Sequence, residues 1–143
     1  MFLGEYQHTI DDKGRLAIPA KFRSALKGGA VVTRGLDRAL VFYAAKEWKV
    51  LAVKLAALPI SQQNSRAFAR LMLAGAMDVS VDPQGRVAIP EYLRSYAGIT
   101  KSVTVAGLYD RLEVWDSDAW RAYQARTEAQ GAVIAEQLGS LGI

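Results

Sequence analysis

Cysteine is absent from the 143 residues, and histidine occurs once, at His8. The first absence removes disulfides, thiolate zinc sites and cysteine nucleophiles, and it fits a reducing compartment. The second excludes a histidine-rich metal site within one chain. No apolar run approaches the ~20 residues needed to span a bilayer. The start, Met1-Phe2-Leu3-Gly4-Glu5-Tyr6, lacks the basic end and apolar stretch of a signal peptide. A soluble cytoplasmic protein without membrane contact is expected. Also missing are a Gly-x-Ser-x-Gly elbow, a phosphate-cradling Gly-x-x-x-x-Gly-Lys, a dinucleotide fingerprint and zinc spacing. A carboxylate pair such as Asp78 and Asp82 is the residual acid–base candidate. Nothing around it suggests a substrate pocket, so neither an enzyme nor a cofactor is expected.

What the chain does have is a repeated phrase. Asp11-Asp12-Lys13-Gly14-Arg15-Leu16-Ala17-Ile18-Pro19 returns as Asp82-Pro83-Gln84-Gly85-Arg86-Val87-Ala88-Ile89-Pro90, each position 71 residues after its counterpart. Asp-x-x-Gly between extended runs is a turn signal: glycine takes positive φ cheaply, and aspartate bonds its own downstream backbone. Tyr6, His8 and Ile10 alternate with Gln7 and Thr9 before the first turn. Met77, Val79 and Val81 alternate with Asp78 and Ser80 before the second. Leu16 and Ile18, or Val87 and Ile89, resume the period of two afterwards, so each phrase reads strand, turn, strand. Pro19 and Pro90 end the strand and suit the entry to a helix. His8, whose repeat counterpart is Val79, reads as a partly buried side chain rather than a catalytic base.

Within the phrase, Asp11 and Arg15 are four apart across a tight turn, as are Asp82 and Arg86. Each pair is open to two readings. One is a surface ion pair worth ~0–1 kcal/mol. The other is an arginine aimed outward at an anion, its fork fixed by the carboxylate. Two matching copies favour the second, because a pseudo-symmetric pair of arginines suits duplex DNA. The net charge of +4 and pI near 9.5 are compatible with a polyanion without requiring one.

The repeat continues past the phrase. Ala20 to Leu26 and Glu91 to Ala97 are predicted as short helices closed by Gly28 and Gly98, with Arg23 and Arg94 in matching places. Ala30–Arg34 and Ser102–Ala106 are β-branched and strand-like. Gly35 to Tyr43 and Gly107 to Trp115, now 72 apart, read as a turn and a strand completing a second hairpin. Helices beginning near Trp48 and Trp120 follow, with Asp116 or Ser117 capping the latter. Trp48, Leu51, Leu55 and Leu58 form an apolar stripe, and Pro59 stops it. A further helix from about Ser61 to Leu73 carries Arg66 and Arg70. The last helix runs from about Asp118 to Gln130. Beyond it, an apolar tail to Ile143 is interrupted by Gly139 and Gly142 and either packs on a neighbouring subunit or frays. Half a chain with four short strands buries little alone. The expectation is an α+β fold of two repeats, residues 1–75 with a connecting helix and 76–143 with the C-terminal helix and tail. Their hairpins interleave about a pseudo-twofold axis, with helices outside.

Phe2-x-Gly4-x-Tyr6, the doubled Asp-x-x-Gly-Arg-x-Ala-Ile-Pro, Gly35-Leu36-Asp37, Glu47-Trp48 and Arg66-x-Phe68-x-Arg70 ahead of Gly75-Ala76 together resemble the MraZ family. The resemblance covers nearly the whole chain to about Trp120. It implies tandem swapped-hairpin repeats like those of AbrB and SpoVT DNA-binding domains. It implies a bacterial regulator of the division and cell-wall gene cluster, nucleoid-associated, forming ring-like homo-oligomers. It also implies DNA contact through Asp11 with Arg15 and Asp82 with Arg86. Ala39 stands where many relatives carry cysteine.

The expected partner is therefore double-stranded DNA carrying repeated short boxes. Arg15 and Arg86 face base edges or phosphates in the major groove. Lys13, Lys21, Arg23 and Arg94 neutralise phosphates, and Gln84 is a candidate base reader. A toxin-neutralising or other partner-binding protein without DNA is the alternative, ahead of a small enzyme.

Overall fold

The computed structural model describes residues 1–143. Strand β1 (Phe2–Thr9) runs to the first turn, and β2 (Arg15–Ala17) leaves it; α1 (Ala20–Arg23) follows Pro19. A hairpin of β3 (Ala30–Arg34) and β4 (Leu40–Ala44) comes next, then helices α2 (Ala45–Ala56) and α3 (Gln63–Ala69). The second repeat supplies β5 (Met77–Val79), β6 (Arg86–Ala88), α4 (Glu91–Ala97), β7 (Ser102–Tyr109), β8 (Leu112–Asp116) and α5 (Ser117–Ala129). A final helix, α6, covers Gly131–Gln137.

The strands form a six-stranded antiparallel sheet in the order β1-β7-β8-β4-β3-β5, and a separate ribbon of β2 with β6. The outer strands are exchanged between repeats. β1 joins the second repeat's hairpin, from Phe2 opposite Tyr109 to Thr9 opposite Ser102. β5 joins the first repeat's hairpin, with Val79 opposite Ala30. Each half therefore lends a strand to the other, as the interleaved α+β reading expects.

The registers locate the pseudo-twofold axis. In the ribbon, Arg15 faces Ala88 and Ala17 faces Arg86, with Leu16 opposite Val87 at the centre. In the sheet, Leu40 faces Val114 and Phe42 faces Leu112, centred on Val41 and Glu113. Exchanging repeats at offsets of 71 and 72 maps each of these pairings onto itself. The axis passes through both centres, so the ribbon crowns the sheet.

The core lies between ribbon, sheet and short helices. Leu16, Ile18, Phe22, Leu40, Phe42, Val87, Ile89, Leu93 and Leu112 are essentially inaccessible. Each such side chain contributes roughly 1.5–3 kcal/mol on burial. Phe2 and Tyr6 set their rings edge-on to Phe22 at 5.3 and 5.5 Å, so the exchanged β1 is pinned by its own repeat's helix.

Several local features differ from the sequence expectation. The first short helix is only four residues long and tightens into a 3-10 turn over Ser24–Leu26. The left-handed residue after it is Gly29 (φ 102°) rather than Gly28, whereas Gly98 (φ 65°) ends α4 as expected. The helix anticipated from Ser61 starts at Gln63 and widens into a π turn over Arg70–Ala74. Thr33, fully buried on β3, donates its hydroxyl to the Met72 carbonyl in that turn at 2.6 Å, satisfying an acceptor where the regular ladder is lost. Of the α2 stripe, Leu55 is buried and Trp48, Leu51 and Leu58 are half-buried. Asp116 caps α5, accepting from the Ala119 N–H at 3.0 Å. No helix is long and apolar enough to cross a membrane.

Candidate functional site

The site grows from the two turns. In the first, Asp11 accepts at one carboxylate oxygen from the backbone N–H groups of Lys13 and Arg15, both at 2.9 Å. Its other oxygen accepts from Arg15 Nε at 2.7 Å. Asp82 repeats the pattern, with Gln84 N–H at 2.9 Å, Arg86 N–H at 2.8 Å and Arg86 Nε at 3.3 Å. Both carboxyls are held below the usual carboxylate range, first by the backbone N–H of Arg15 or Arg86, with burial opposing and the guanidinium assisting. Each aspartate is thus a turn-former and an arginine holder at once.

Gly14 and Gly85 stand at φ +79° and +80°, a conformation that costs other residues ~1–2 kcal/mol. Their carbonyls face across the axis. Ile89 N–H donates to the Gly14 carbonyl at 2.8 Å, and Ile18 N–H to the Gly85 carbonyl at 2.9 Å. Each turn is therefore clamped by the opposite repeat. The clamp is doubled by Arg23 and Arg94. Arg23 Nε donates to the Ile18 carbonyl at 2.8 Å, and Arg94 Nε to the Ile89 carbonyl at 3.0 Å. Arg23 lies over Gly85 and Arg94 over Gly14, so close that a Cβ at either glycine would collide with the guanidinium.

Alternation along the ribbon sorts its two faces. Leu16 and Val87 point into the core. Arg15, Ala17, Arg86 and Ala88 share the outer face. The two arginines sit on its diagonal, separated by small side chains that leave the face open. Their side chains are 35% and 28% exposed. Neither guanidinium is sealed inside the protein, and each uses Nε on its aspartate while directing Nη groups elsewhere.

The remaining sequence candidates lie on the turns and on the short helices that follow them. Lys13 and Gln84 are exposed on the turns. Lys21 is exposed on α1, its Nζ 5.4 Å from the Tyr6 ring centroid. Arg23 joins Lys27, Asp82, Pro83 and Gly85 around an open depression beside the second turn. Gln84 Oε1 accepts from Arg86 Nη2. His8 is half-buried on β1 opposite Val103.

Sequence reasoning missed the crossing of the clamp. The matching positions of Arg23 and Arg94 were visible, but nothing in their spacing tells that each rests on the other repeat's glycine. It also missed Arg34 and Arg38, which stack on Tyr96 at 5.9 and 4.8 Å while Tyr96 donates its hydroxyl to the Gly35 carbonyl at 2.6 Å.

The family model described as "MraZ protein, putative antitoxin-like" matches this chain twice, over residues 1–71 and 72–138. The chain belongs to the MraZ family. Proteins named transcriptional regulator MraZ from Acetivibrio thermocellus and Herpetosiphon aurantiacus are each 46% identical over 143 residues, spanning all of both chains. One from Natranaerobius thermophilus is 43% identical over 138 residues, 96% of each. Among solved structures, the solution structure of PHS018 from Pyrococcus horikoshii is 20% identical with a TM-score of 0.31, covering 80% of this chain and 88% of that one. That likeness adds nothing to the family membership. The two matched segments each contain one complete Asp-x-x-x-Arg turn, so family and repeat agree on the unit that carries the site.

Proposed function

We propose that this member of the MraZ family is a sequence-specific DNA-binding transcriptional regulator, reading repeated short boxes through the outer face of the β2–β6 ribbon. The names of its full-length relatives support regulation. The observation that carries the reading is the pair of aspartate-held arginines on one open face of a two-stranded ribbon. A ribbon of that kind fits the major groove of B-DNA. Arg15 and Arg86 then reach base edges, where a bidentate arginine–guanine contact discriminates by ~1–3 kcal/mol. Lys13, Lys21, Arg23 and Arg94 are assigned to phosphates. Asp11 and Asp82 orient the arginines. Residues 1–75 and 76–143 act as two half-readers. Assembly into a ring of copies gives repeated boxes an avidity that one box lacks. The protein works on the nucleoid, at the division and cell-wall gene cluster, with no cofactor.

The decisive test is retention of a duplex fragment from upstream of its own gene at several salt concentrations. Log affinity is expected to fall linearly with log salt, with a slope of roughly −3 to −4 per bound chain if the four flanking cations each meet a phosphate. Arg15→Ala with Arg86→Ala is expected to abolish retention while leaving fold and particle size unchanged. Full affinity in the double variant defeats the assignment. The antitoxin-like wording of the family description makes a protein partner the second reading. It predicts that reversing both charges, Arg15→Glu with Arg86→Glu, leaves function intact.

A further inference from the structure

The two arginines are not held alike. Arg15 has one protein partner, Asp11, through Nε. Arg86 has three neighbours: Asp82 through Nε at 3.3 Å, Gln84 through Nη2, and Asp11 of the other repeat, 3.8 Å from Nη1. The Gln84 contact traces to one exchange in the repeat. Lys13 stands where the second copy has Gln84. A lysine ammonium offers donors only and cannot accept from an arginine, whereas a glutamine carbonyl can. The backbone around the two positions is otherwise matched, since each aspartate binds the same pair of backbone N–H groups in its turn. The asymmetry is therefore written in the side chains, not in the fold.

We infer that Gln84 is a positioning residue for Arg86, so that the ribbon reads its DNA box with a fixed polarity. This deepens the DNA-binding reading above and rests on it. The Arg86 half discriminates bases sharply, because its guanidinium is already immobilised before contact. The Arg15 half tolerates base changes, because its fork swings about a single tether, and Lys13 beside it supplies mobile positive charge. Of the five guanidinium N–H donors, Nε–H and one Nη2–H of Arg86 are occupied. Three remain, enough for a bidentate contact at a base edge. Immobilising a rotamer-rich side chain in advance is worth roughly a two- to tenfold gain in the discriminating contact.

The test is in vitro selection from duplexes with a randomised central segment, using the full chain and the variants Gln84→Ala, Gln84→Glu and Lys13→Gln. The wild type is expected to return a box with one sharp and one tolerant half. Gln84→Ala flattens the sharp half roughly two- to tenfold in base preference, leaving the tolerant half as it was. Gln84→Glu keeps an acceptor for Arg86. It preserves the preference while weakening all boxes together through its added negative charge. Lys13→Gln sharpens the tolerant half and lowers the salt slope by about 1. A wild-type box with equal halves, or base preferences unmoved in Gln84→Ala, overturns the inference while leaving DNA binding by the arginines standing. No selected sequence at all, with wild-type protein folded and assembled, removes the DNA-binding reading and this inference with it.

Discussion

Replacing Gly14 or Gly85 with alanine separates what the turn needs from what the opposite repeat needs. Both glycines are left-handed, so alanine costs ~1–2 kcal/mol at either position before any contact is considered. At Gly85 the atoms nearest the new Cβ all belong to the guanidinium of Arg23, 2.7 Å from Nη1 and closer still to Nε and Cζ. That side chain can move, at the loss of its charged hydrogen bond to the Ile18 carbonyl, worth roughly 1.5–3 kcal/mol. At Gly14 the Cβ meets Arg94 Nε at 2.7 Å and also the Ile89 carbonyl oxygen at 2.9 Å. The second contact is backbone. Ile89 cannot retreat without stretching its own N–H bond to the Gly14 carbonyl. Gly85→Ala is expected to cost about 2.5–5 kcal/mol, and Gly14→Ala at least as much. Urea denaturation at one fixed protein concentration measures both, the concentration being held because assembly shifts apparent stability. The mechanism is isolated by a double-mutant cycle. In an Arg23→Ala background the cost of Gly85→Ala should fall by the part that Arg23 imposes, while Gly14→Ala in an Arg94→Ala background should retain an excess from the Ile89 carbonyl. Equal costs for Gly85→Ala with and without Arg23 would refute the crossed clamp.

Three other outcomes follow from the same contacts. The carboxyls of Asp11 and Asp82 titrate below their unfolded value, so their stabilising effect is complete above ~pH 4 and is lost as pH falls through the folded values; an Asp11→Asn, Asp82→Asn chain should lose less stability than wild type between neutral and strongly acidic pH, and an identical acid profile counts against the pairing. Thr33→Val removes the only side-chain donor recorded on the Met72 carbonyl, and should cost about 1–3 kcal/mol in a denaturant titration; a change within error would mean that the π turn needs no such partner. Leu16→Ala empties a fully buried position on the pseudo-twofold axis and should cost roughly 2–5 kcal/mol, with a shortfall indicating that the ribbon settles onto the sheet to close the gap.

The fold was legible where the physics is local. The Asp-x-x-Gly turns, the strand alternation around them and the proline-led helices all have short-range causes, and the 71-residue repeat fixed which pieces correspond. That the two repeats interleave was expected from the poverty of one half's core, but not which strands, β1 and β5, are exchanged. Nor was the register, because pairing Phe2 with Tyr109 depends on residues a hundred positions apart. The π turn after α3 escaped notice because the Thr33 hydroxyl that satisfies its Met72 carbonyl sits on a distant strand. For the site, residue types and spacing pointed to Asp11, Arg15, Asp82 and Arg86, and the ribbon's alternation brings both arginines to one face. Spacing alone could not reveal that Arg23 and Arg94 bridge to the opposite turn, since each contact crosses between repeats. Nor could it reveal that Gln84 bonds Arg86, which requires knowing the rotamers of both.

The crossed arrangement has a consequence for how the outer face of the ribbon is kept rigid. A hairpin tip is normally a mobile place, because its backbone groups face water and few contacts hold it. Here the tip glycine carbonyls accept from Ile18 and Ile89 of the opposite repeat, both core residues at most 2% exposed. Moving either turn would break a hydrogen bond and disturb the buried isoleucine that donates it. Each tip is therefore anchored to the most protected part of the molecule rather than to its own flexible neighbours. The shape of the turns from which Arg15 and Arg86 project is therefore set during folding, when the two repeats interlock. A single repeat cannot supply this geometry, because the donor for its turn lies in the other one. Duplication within one chain thus does more than double the number of arginines: it provides the mutual support that lets two exposed turns hold a fixed shape.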